Sequence, residues 1–346
     1  MSEPTHPLLD IQNLTIEFPS ERHGTPVRAV DDVNLVVGAG ETVGLVGESG
    51  SGKTTLGRAV LGLTRPDTGR ITFGGKAITH ANTKQRRALS RYLQVVFQDP
   101  YSSLNPARTI GQTLSETLRV HRKLPRPETE ERVVRMLEKV GLDRSAFARY
   151  PAHFSGGQRQ RIAIARALIA EPKMVICDEP VSALDLSVQA QVLNLFRHLQ
   201  DEFSLSYLFI AHDLAVVRFL SHRIVVLYRG RVMEQGPADT VYRRPLHPYT
   251  QALVAAAPVP DPEAQKKRRE ERRGFTTASA AAPASGPAGC PFSSRCPHVV
   301  DICHTTRPPM TIAPDDSFVA CHRWSEINNL TAPVTREFAT PRAEVA

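Results

Sequence analysis

The feature that most constrains this chain is a glycine-rich octapeptide, Gly47-Glu48-Ser49-Gly50-Ser51-Gly52-Lys53-Thr54, between an apolar run at 42–46 and a segment with helical spacing from Thr54. It fits G-x-x-x-x-G-K-[ST], and a strand before it and a helix after it are the context in which that spacing forms a phosphate loop. The glycines let successive backbone N–H groups turn inward around phosphate oxygens, and the helix start adds the positive end of its dipole. Lys53 would reach the β- and γ-phosphates and Thr54 would supply a hydroxyl to Mg²⁺, with Thr55 counted in the same ATP-binding run. A glycine turn that merely joined strand to helix would need neither the lysine nor the threonine.

Apolar segments at 8–18, 33–37, 42–46, 70–73, 93–97, 174–178, 207–211 and 224–228 read as strands, separated by helical stretches such as 188–202. That alternation argues for an α/β core. Between 98 and 168 strand signals lapse and helical patterns such as 128–140 take over, so a helical subdomain at about 99–168 is expected inside a core spanning 1–257. Residues 258–289 turn to Pro, Ala, Ser and charge and read as a flexible linker. A cysteine-rich segment at 290–325 and a tail at 326–346 follow. No apolar run approaches the ~18 residues of a membrane span. The N-terminus lacks a basic stretch followed by an apolar one, so the cytoplasm is the expected compartment. The net charge of +8 raises nucleic acid or anionic lipid as partners, but much of the excess lies in KKRREERR at 266–273, which reads as solvated linker; no nucleic-acid partner is expected.

Met174-Val175-Ile176-Cys177-Asp178-Glu179 is an apolar run ending in two carboxylates, which a buried strand delivers at the sheet edge where α/β folds bind ligands. Asp178 is expected to hold Mg²⁺, and Glu179 to act as general base on the attacking water. Cys177 reads as a small apolar residue of that strand, with a redox role as the alternative. Phe154-Ser155-Gly156-Gly157-Gln158 opens a basic helix whose start Ser155 could cap.

Taken together, the phosphate loop, the isolated Gln98, Ser155-Gly156-Gly157-Gln158, the apolar run ending in Asp178-Glu179, Ser182-Ala183-Leu184-Asp185 and His212 resemble the motif set of an ABC-type ATPase. The resemblance implies an ABC-type P-loop core in which two cassettes face head to tail. ATP is then sandwiched between the phosphate loop of one and Ser155, Gly157 and Gln158 of the other. His212 would contact the γ-phosphate and orient the water, Asp185 would link the two sites, and Gln98 would sense Mg²⁺ and the water. Asp99-Pro100-Tyr101 would lie near the membrane subunits. Phe18 is the candidate for stacking on adenine, with a core aromatic at a strand end as the alternative reading.

The run Arg244-Pro245-Leu246-His247-Pro248-Tyr249-Thr250-Gln251-Ala252-Leu253 resembles the segment that follows the cassette in dipeptide and oligopeptide importer ATPases. The stretches 98–106 and 179–185 resemble the second ATPase of systems that use an unlike pair. The function so implied is an ATP-hydrolysing subunit powering peptide import. Its partners would be a second, homologous ATPase, two integral membrane permeases and an external solute-binding protein, at the cytoplasmic face of a bacterial inner membrane. Nickel and some glycan importers share these segments. Soluble ABC-type ATPases of DNA repair or translation share the nucleotide motifs, but the long coiled coils of the one and the paired cassettes of the other are not visible.

Cys290, Cys296, Cys303 and Cys321 lack the close C-x₂-C pairs of common zinc sites, though His304 and His322 could substitute as ligands. Four thiolates in a reducing compartment suit Zn²⁺ or a [4Fe–4S] cluster. The importer resemblance points to the cluster, with zinc as the first alternative and free thiols as the last. A segment so short and poor in apolar residues is expected to need such a staple.

Overall fold

The computed structural model describes residues 7–19, 26–99, 103–122, 124–257 and 288–330. The expected linker lies almost wholly outside them, as do the basic run at 266–273, Pro100, Tyr101 and most of the tail. The chain divides into two compact units, one of residues 1–16, 34–43 and 54–211, the other of 17–33, 44–53 and 212–346.

β1 (Leu9–Phe18), in the first unit as far as Ile16, and β2 (Val27–Val37), in it from Asn34, share an antiparallel sheet with β4 (Thr68–Phe73) and β5 (Lys76–Ala77), in the order β2-β1-β4-β5. Inward residues of β1 slip from Leu9 and Ile11 to Leu14 and Ile16, because a bulge at Gln12/Thr15 shifts the register. Asn13 takes φ 48° there and donates its N–H to Asn34 Oδ1 at 2.9 Å. Asparagine tolerates that left-handed turn better than most residues. The strand β3 (Thr42–Val46) runs from this unit into the other and ends at the phosphate loop.

The parallel strands β6 (Leu93–Val96), β7 (Met174–Asp178) and β8 (Ser206–Ala211) adjoin in that order, with Val95 opposite Ile176 and Ile176 opposite Leu208. β7 is buried from Met174 to Cys177 and all of β8 is buried, which is why both read as unbroken apolar runs rather than alternating ones. Helices Ile110–His121, Arg126–Lys139 and Gly156–Leu168 occupy the stretch without strands and pack together, burying Leu114, Leu118, Val133, Leu137 and Ile162. Each such side chain contributes about 1.5–3 kcal/mol. Thr109 and Gln112 form a capping box at the start of the first of these helices.

In the second unit, β9 (Arg223–Tyr228) and β10 (Arg231–Pro237) form a hairpin. Arg229 and Gly230, at φ 45° and 79°, make the two-residue turn whose positive dihedrals match strand twist. β11 (Thr311–Ile312) and β12 (Phe318–Val319) extend it in the order β11-β12-β10-β9. The cysteine-bearing segment therefore gains its order from this sheet. Leu246, Ala313, Val319 and Trp324 form a small core beneath it, with Cys321 packed alongside. Among the described residues, no helix is long and apolar enough to cross a membrane.

Candidate active site

The phosphate loop belongs to the second unit as far as Lys53. The Lys53 ammonium is almost fully buried and donates to Gly47 O at 2.7 Å, Glu48 O at 2.9 Å and Ser51 Oγ at 3.3 Å. Glycine is required at two loop positions by close approach. A Cβ at Gly47 would stand 2.1 Å from Leu227 O, and one at Gly52, where φ is 101°, would stand 2.1 Å from Ala29 O. Ser49 and Gly50 form the loop tip. Glu48 is held from two sides: its N–H donates to Tyr249 Oη at 2.9 Å, and its carboxylate accepts both arms of the Arg295 fork at 2.7 and 2.9 Å.

Thr54 and Thr55 lie in helix Lys53–Leu61, on its first-unit side. Thr54 Oγ1 donates to Asp178 Oδ1 at 2.9 Å, so the two residues expected at Mg²⁺ meet at the end of β7. A hydroxyl and a carboxylate oxygen this close match the oxygen-only preference of that cation. Glu179 follows at φ 47°, a left-handed conformation uncommon for a residue with a side chain. Its N–H donates to Ile210 O at 2.9 Å, and Ser182 Oγ donates to its carbonyl at 3.0 Å. The backbone is thereby held in a conformation that costs about 1–3 kcal/mol. Gln98 stands two residues beyond Val96, as Glu179 stands two beyond Cys177, and Val96 and Cys177 are register partners. Both residues thus follow the C-terminal ends of adjacent parallel strands. Cys177 is fully buried, and burial, with Asp178 beside it, pushes its thiol well up, which suits packing rather than redox chemistry.

Ser155 caps helix Gly156–Leu168: its Oγ accepts from Gln158 N at 3.3 Å, while Gln158 Oε1 accepts from Ser155 N at 3.0 Å. The exposed pair presents the positive end of a thirteen-residue helix. A Cβ at Gly157 would come within 2.4 Å of Val188 Cγ1, so this glycine also has a packing reason. Asp185 caps helix Leu186–Phe203, accepting from Val188 N at 2.9 Å and Ser187 Oγ at 2.8 Å, and these bonds hold its pKa below the usual value. In the second unit, His212 is exposed directly after β8, and Phe18, at the end of β1, is 43 % exposed.

The four C-terminal cysteines form no disulfide and line one small cavity, together with His247, Phe292, His298 and His322. Cys290 and Cys303 are buried and joined by a backbone bond, Cys290 N to Cys303 O at 2.8 Å. Burial pushes the thiols of Cys290, Cys296 and Cys321 up to about 11. Among the described residues no group of three or more His, Cys, Asp or Glu side chains is arranged to hold a metal ion. The four thiols line one cavity, and thiolate sulfur is the donor type of a tetrathiolate site. His304 lies outside that cavity.

Sequence reasoning assigned no role to Tyr249, Arg295 or Glu234. Glu234, on β10, is fully buried and accepts from Leu246 N and His247 N at 2.9 Å each. Its signal was a carboxylate inside an otherwise strand-like run. Arg295 stood directly before Cys296, and Tyr249 inside the His-Pro-Tyr run.

Residues 30–182 match the ABC transporter family model, and residues 233–303 match the model described as the oligopeptide/dipeptide transporter C-terminal region. The chain is 46 % identical over 320 residues to a probable peptide ABC transporter ATP-binding protein of Sinorhizobium fredii, covering 91 % of this chain and 89 % of that one. It is 47 % identical over 309 residues to the oligopeptide transport ATP-binding protein OppF of Escherichia coli, covering 87 % and 92 %. Among solved structures, cbiO1 of Clostridium perfringens, part of the ABC transporter complex cbiONQ, aligns with TM-score 0.62 and 30 % identity over 69 % of this chain and 91 % of that one. The ATP-binding cassette MJ0796, in a post-hydrolysis dimer with ADP and phosphate, aligns with TM-score 0.61 and 27 % identity over 66 % and 98 %.

Proposed function

The chain belongs to the ATP-binding proteins of ABC transporters, and from that premise we propose that it binds and hydrolyses Mg·ATP to power import of dipeptides or oligopeptides. The observation that carries the chemical part is the Thr54 hydroxyl on Asp178, with Glu179 held one residue further along. The match of residues 233–303 to the peptide-transporter C-terminal region supports the substrate class.

In this reading the loop 47–54 with Thr55 wraps the phosphates, Lys53 neutralises their charge, and Thr54, Asp178 and Gln98 serve Mg²⁺. Glu179 polarises the attacking water and His212 orients it at the γ-phosphate, while Phe18 stacks on adenine. Catalysis is mostly positioning and charge stabilisation. Ser155, Gly157 and Gln158 complete the ATP site of a partner cassette, where a capped helix start favours an anion, and Asp185 links the two sites. The partner is an unlike but homologous chain. ATP closes the pair and shifts two membrane permeases outward, and hydrolysis releases them, with an external binding protein delivering peptide. The chain is placed peripherally at the cytoplasmic face of the bacterial inner membrane.

Cys290, Cys296, Cys303 and Cys321 would hold a [4Fe–4S] cluster, with zinc as the alternative. The cluster would supply a covalent staple among four points of the segment. Iron, sulfide and zinc analysis of anaerobically purified protein tests this: about four irons and four sulfides per chain are expected, and protein without metal would contradict it. The transport reading is tested by peptide-dependent ATP hydrolysis in the complex purified from membranes. Recovery of the chain without membrane subunits, bound to nucleic acid in a salt-sensitive manner, would contradict that reading.

A further inference from the structure

We propose that Arg295 and Tyr249 are positioning residues for ATP binding, which shape the phosphate loop through Glu48 and make nucleotide affinity depend on docking of the cysteine-bearing segment. The inference rests on reading 47–54 as the ATP-binding loop.

Glu48 is the second residue of that loop, and both of its polar ends are engaged from the C-terminal part of the chain. Its N–H points to Tyr249 Oη, and both carboxylate oxygens meet the guanidinium of Arg295. The two anchoring residues are themselves fixed. Arg295 ends the 3-10 turn Ser293–Arg295, donates its N–H to Phe292 O at 2.9 Å, and lies over the rings of Tyr228 and Phe292 at 5.9 and 5.6 Å. Phe292 is 1 % exposed and packs against Tyr228, Tyr249 and His247. The N–H of Tyr249 donates to His247 Nδ1 at 2.9 Å. Arg295 immediately precedes Cys296, so the position of its guanidinium follows the fold of the cysteine segment.

Two physical consequences follow. A carboxylate in a loop that must receive a polyphosphate opposes the ligand's charge, and a guanidinium gripping both its oxygens offsets that opposition. A loop anchored at its second residue also loses less conformational freedom when the phosphates arrive. Glu48 and Arg295 are 41 % and 34 % exposed, so the effect is of the modest size of a surface ion pair with good geometry.

The experiment compares ATP and ADP affinity of the full chain by calorimetry, with KM and kcat measured in the assembled transporter. Arg295→Met keeps much of the ring packing and removes the charge. Its nucleotide affinity should fall about 5-fold with kcat nearly unchanged, and the deficit should shrink as salt rises. Arg295→Lys should lose about 2-fold, and Tyr249→Phe about 3-fold. Adding Glu48→Gln to Arg295→Met should recover part of the loss, because the uncompensated carboxylate is then gone. Arg295→Met with wild-type affinity and unchanged thermal midpoint would overturn the proposal, as would losses that simply add in the double variant. A wild-type chain that binds no nucleotide would instead overturn the underlying reading of the loop.

Discussion

The phosphate loop and the cysteine-bearing segment are both functional candidates in one compact unit, yet they are specified in opposite ways. The loop's signature is eight consecutive residues, and its lysine contacts are local: Lys53 closes on carbonyls five and six positions back, while Gly47 and Gly52 sit where a Cβ would strike the backbone of Leu227 and Ala29, and Glu48 is steadied from Tyr249 and Arg295. The cysteine segment draws its order from distant residues. Its strands lean on β10, its core borrows Leu246, and Arg295 reaches back to Glu48. Chemistry in the first kind of site should fail locally when one residue changes, whereas the second kind should fail by undocking.

The largest expected effect tests the local side of this contrast. Asp178→Asn leaves the hydrogen bond from Thr54 possible but removes the charge that would face Mg²⁺. Hydrolysis should fall by at least about 10²-fold with the unfolding midpoint nearly unchanged. Steady-state rates beside thermal melts check this, and a stability loss equal to the activity loss would erase the contrast. Trp324→Ala probes the other side. It removes the largest side chain of a four-residue core, at a cost of about 3–5 kcal/mol. Because that core serves the docked segment, hydrogen exchange should accelerate at 311–319 and leave the amides of β7 and β8 protected. Uniform loss of protection would show that the segment is part of the global fold.

A subtler effect concerns Glu234 and His247, which join β10 to the His-Pro-Tyr run. Burial raises Glu234 to about 7, against the pull of the Leu246 and His247 N–H groups, and Asp315 adds to the rise. Burial lowers His247 to about 3, with a bond to the Ala320 backbone opposing it. Glu234 therefore favours the folded state below its unfolded pKa near 4.5, and that contribution is lost as pH rises toward 7. His247 favours the folded state above its unfolded value near 6.5, and that contribution is lost as pH falls toward 3. The two slopes cancel between roughly pH 4.5 and 6.5, where folded and unfolded forms bind equal numbers of protons at this pair. Glu234→Gln should expose the histidine slope, with stability gaining about 2–3 kcal/mol relative to wild type's pH profile across that window. Denaturant midpoints at several pH values decide it, and a variant whose profile parallels the wild type's would contradict the assignment.

The smallest effect sharpens the reading of Gly157. An alanine there meets Val188 Cγ1, so Gly157→Ala should cost about 1–3 kcal/mol, and adding Val188→Ala should recover it. If hydrolysis stays low in the double variant although stability returns, the glycine is needed for close approach of phosphate as well as for packing. Recovery of both would leave packing as its whole role.

The same contrast explains what could be read along the chain. β3 and β7 were legible to the residue, because a buried parallel strand is an unbroken apolar run. β2 was read only from Val33, since Arg28, Asp31 and Asp32 interrupt its pattern; Asp31 is buried because Arg231 pairs with it at 2.6 Å, a contact between residues 200 positions apart. β10 was missed for a related reason: a register shift between Val232 and Glu234 and a buried carboxylate destroy its alternation. The runs at 47–54, 155–158 and 174–179 were legible because each is contiguous, whereas Gln98 and His212 stand alone; the left-handed Glu179 directly follows the strand end at Asp178. Arg295 and Tyr249 were visible only as letters in family-like runs, because their partner lies far away in sequence. The expectation that the cysteine segment needs a staple came from counting its own apolar residues, a count that omits what the rest of the unit lends it.

The central claim, that Glu179 drives hydrolysis of ATP in a peptide-import complex, is met most directly by one comparison. ATP hydrolysis by the complex purified from membranes is measured with and without peptide-loaded binding protein, for wild type and Glu179→Gln. The account predicts peptide-stimulated turnover in the wild type, and a variant about 10²–10⁴-fold slower that retains ATP in a closed cassette pair. Hydrolysis at the wild-type rate in Glu179→Gln, or turnover indifferent to peptide, would contradict it.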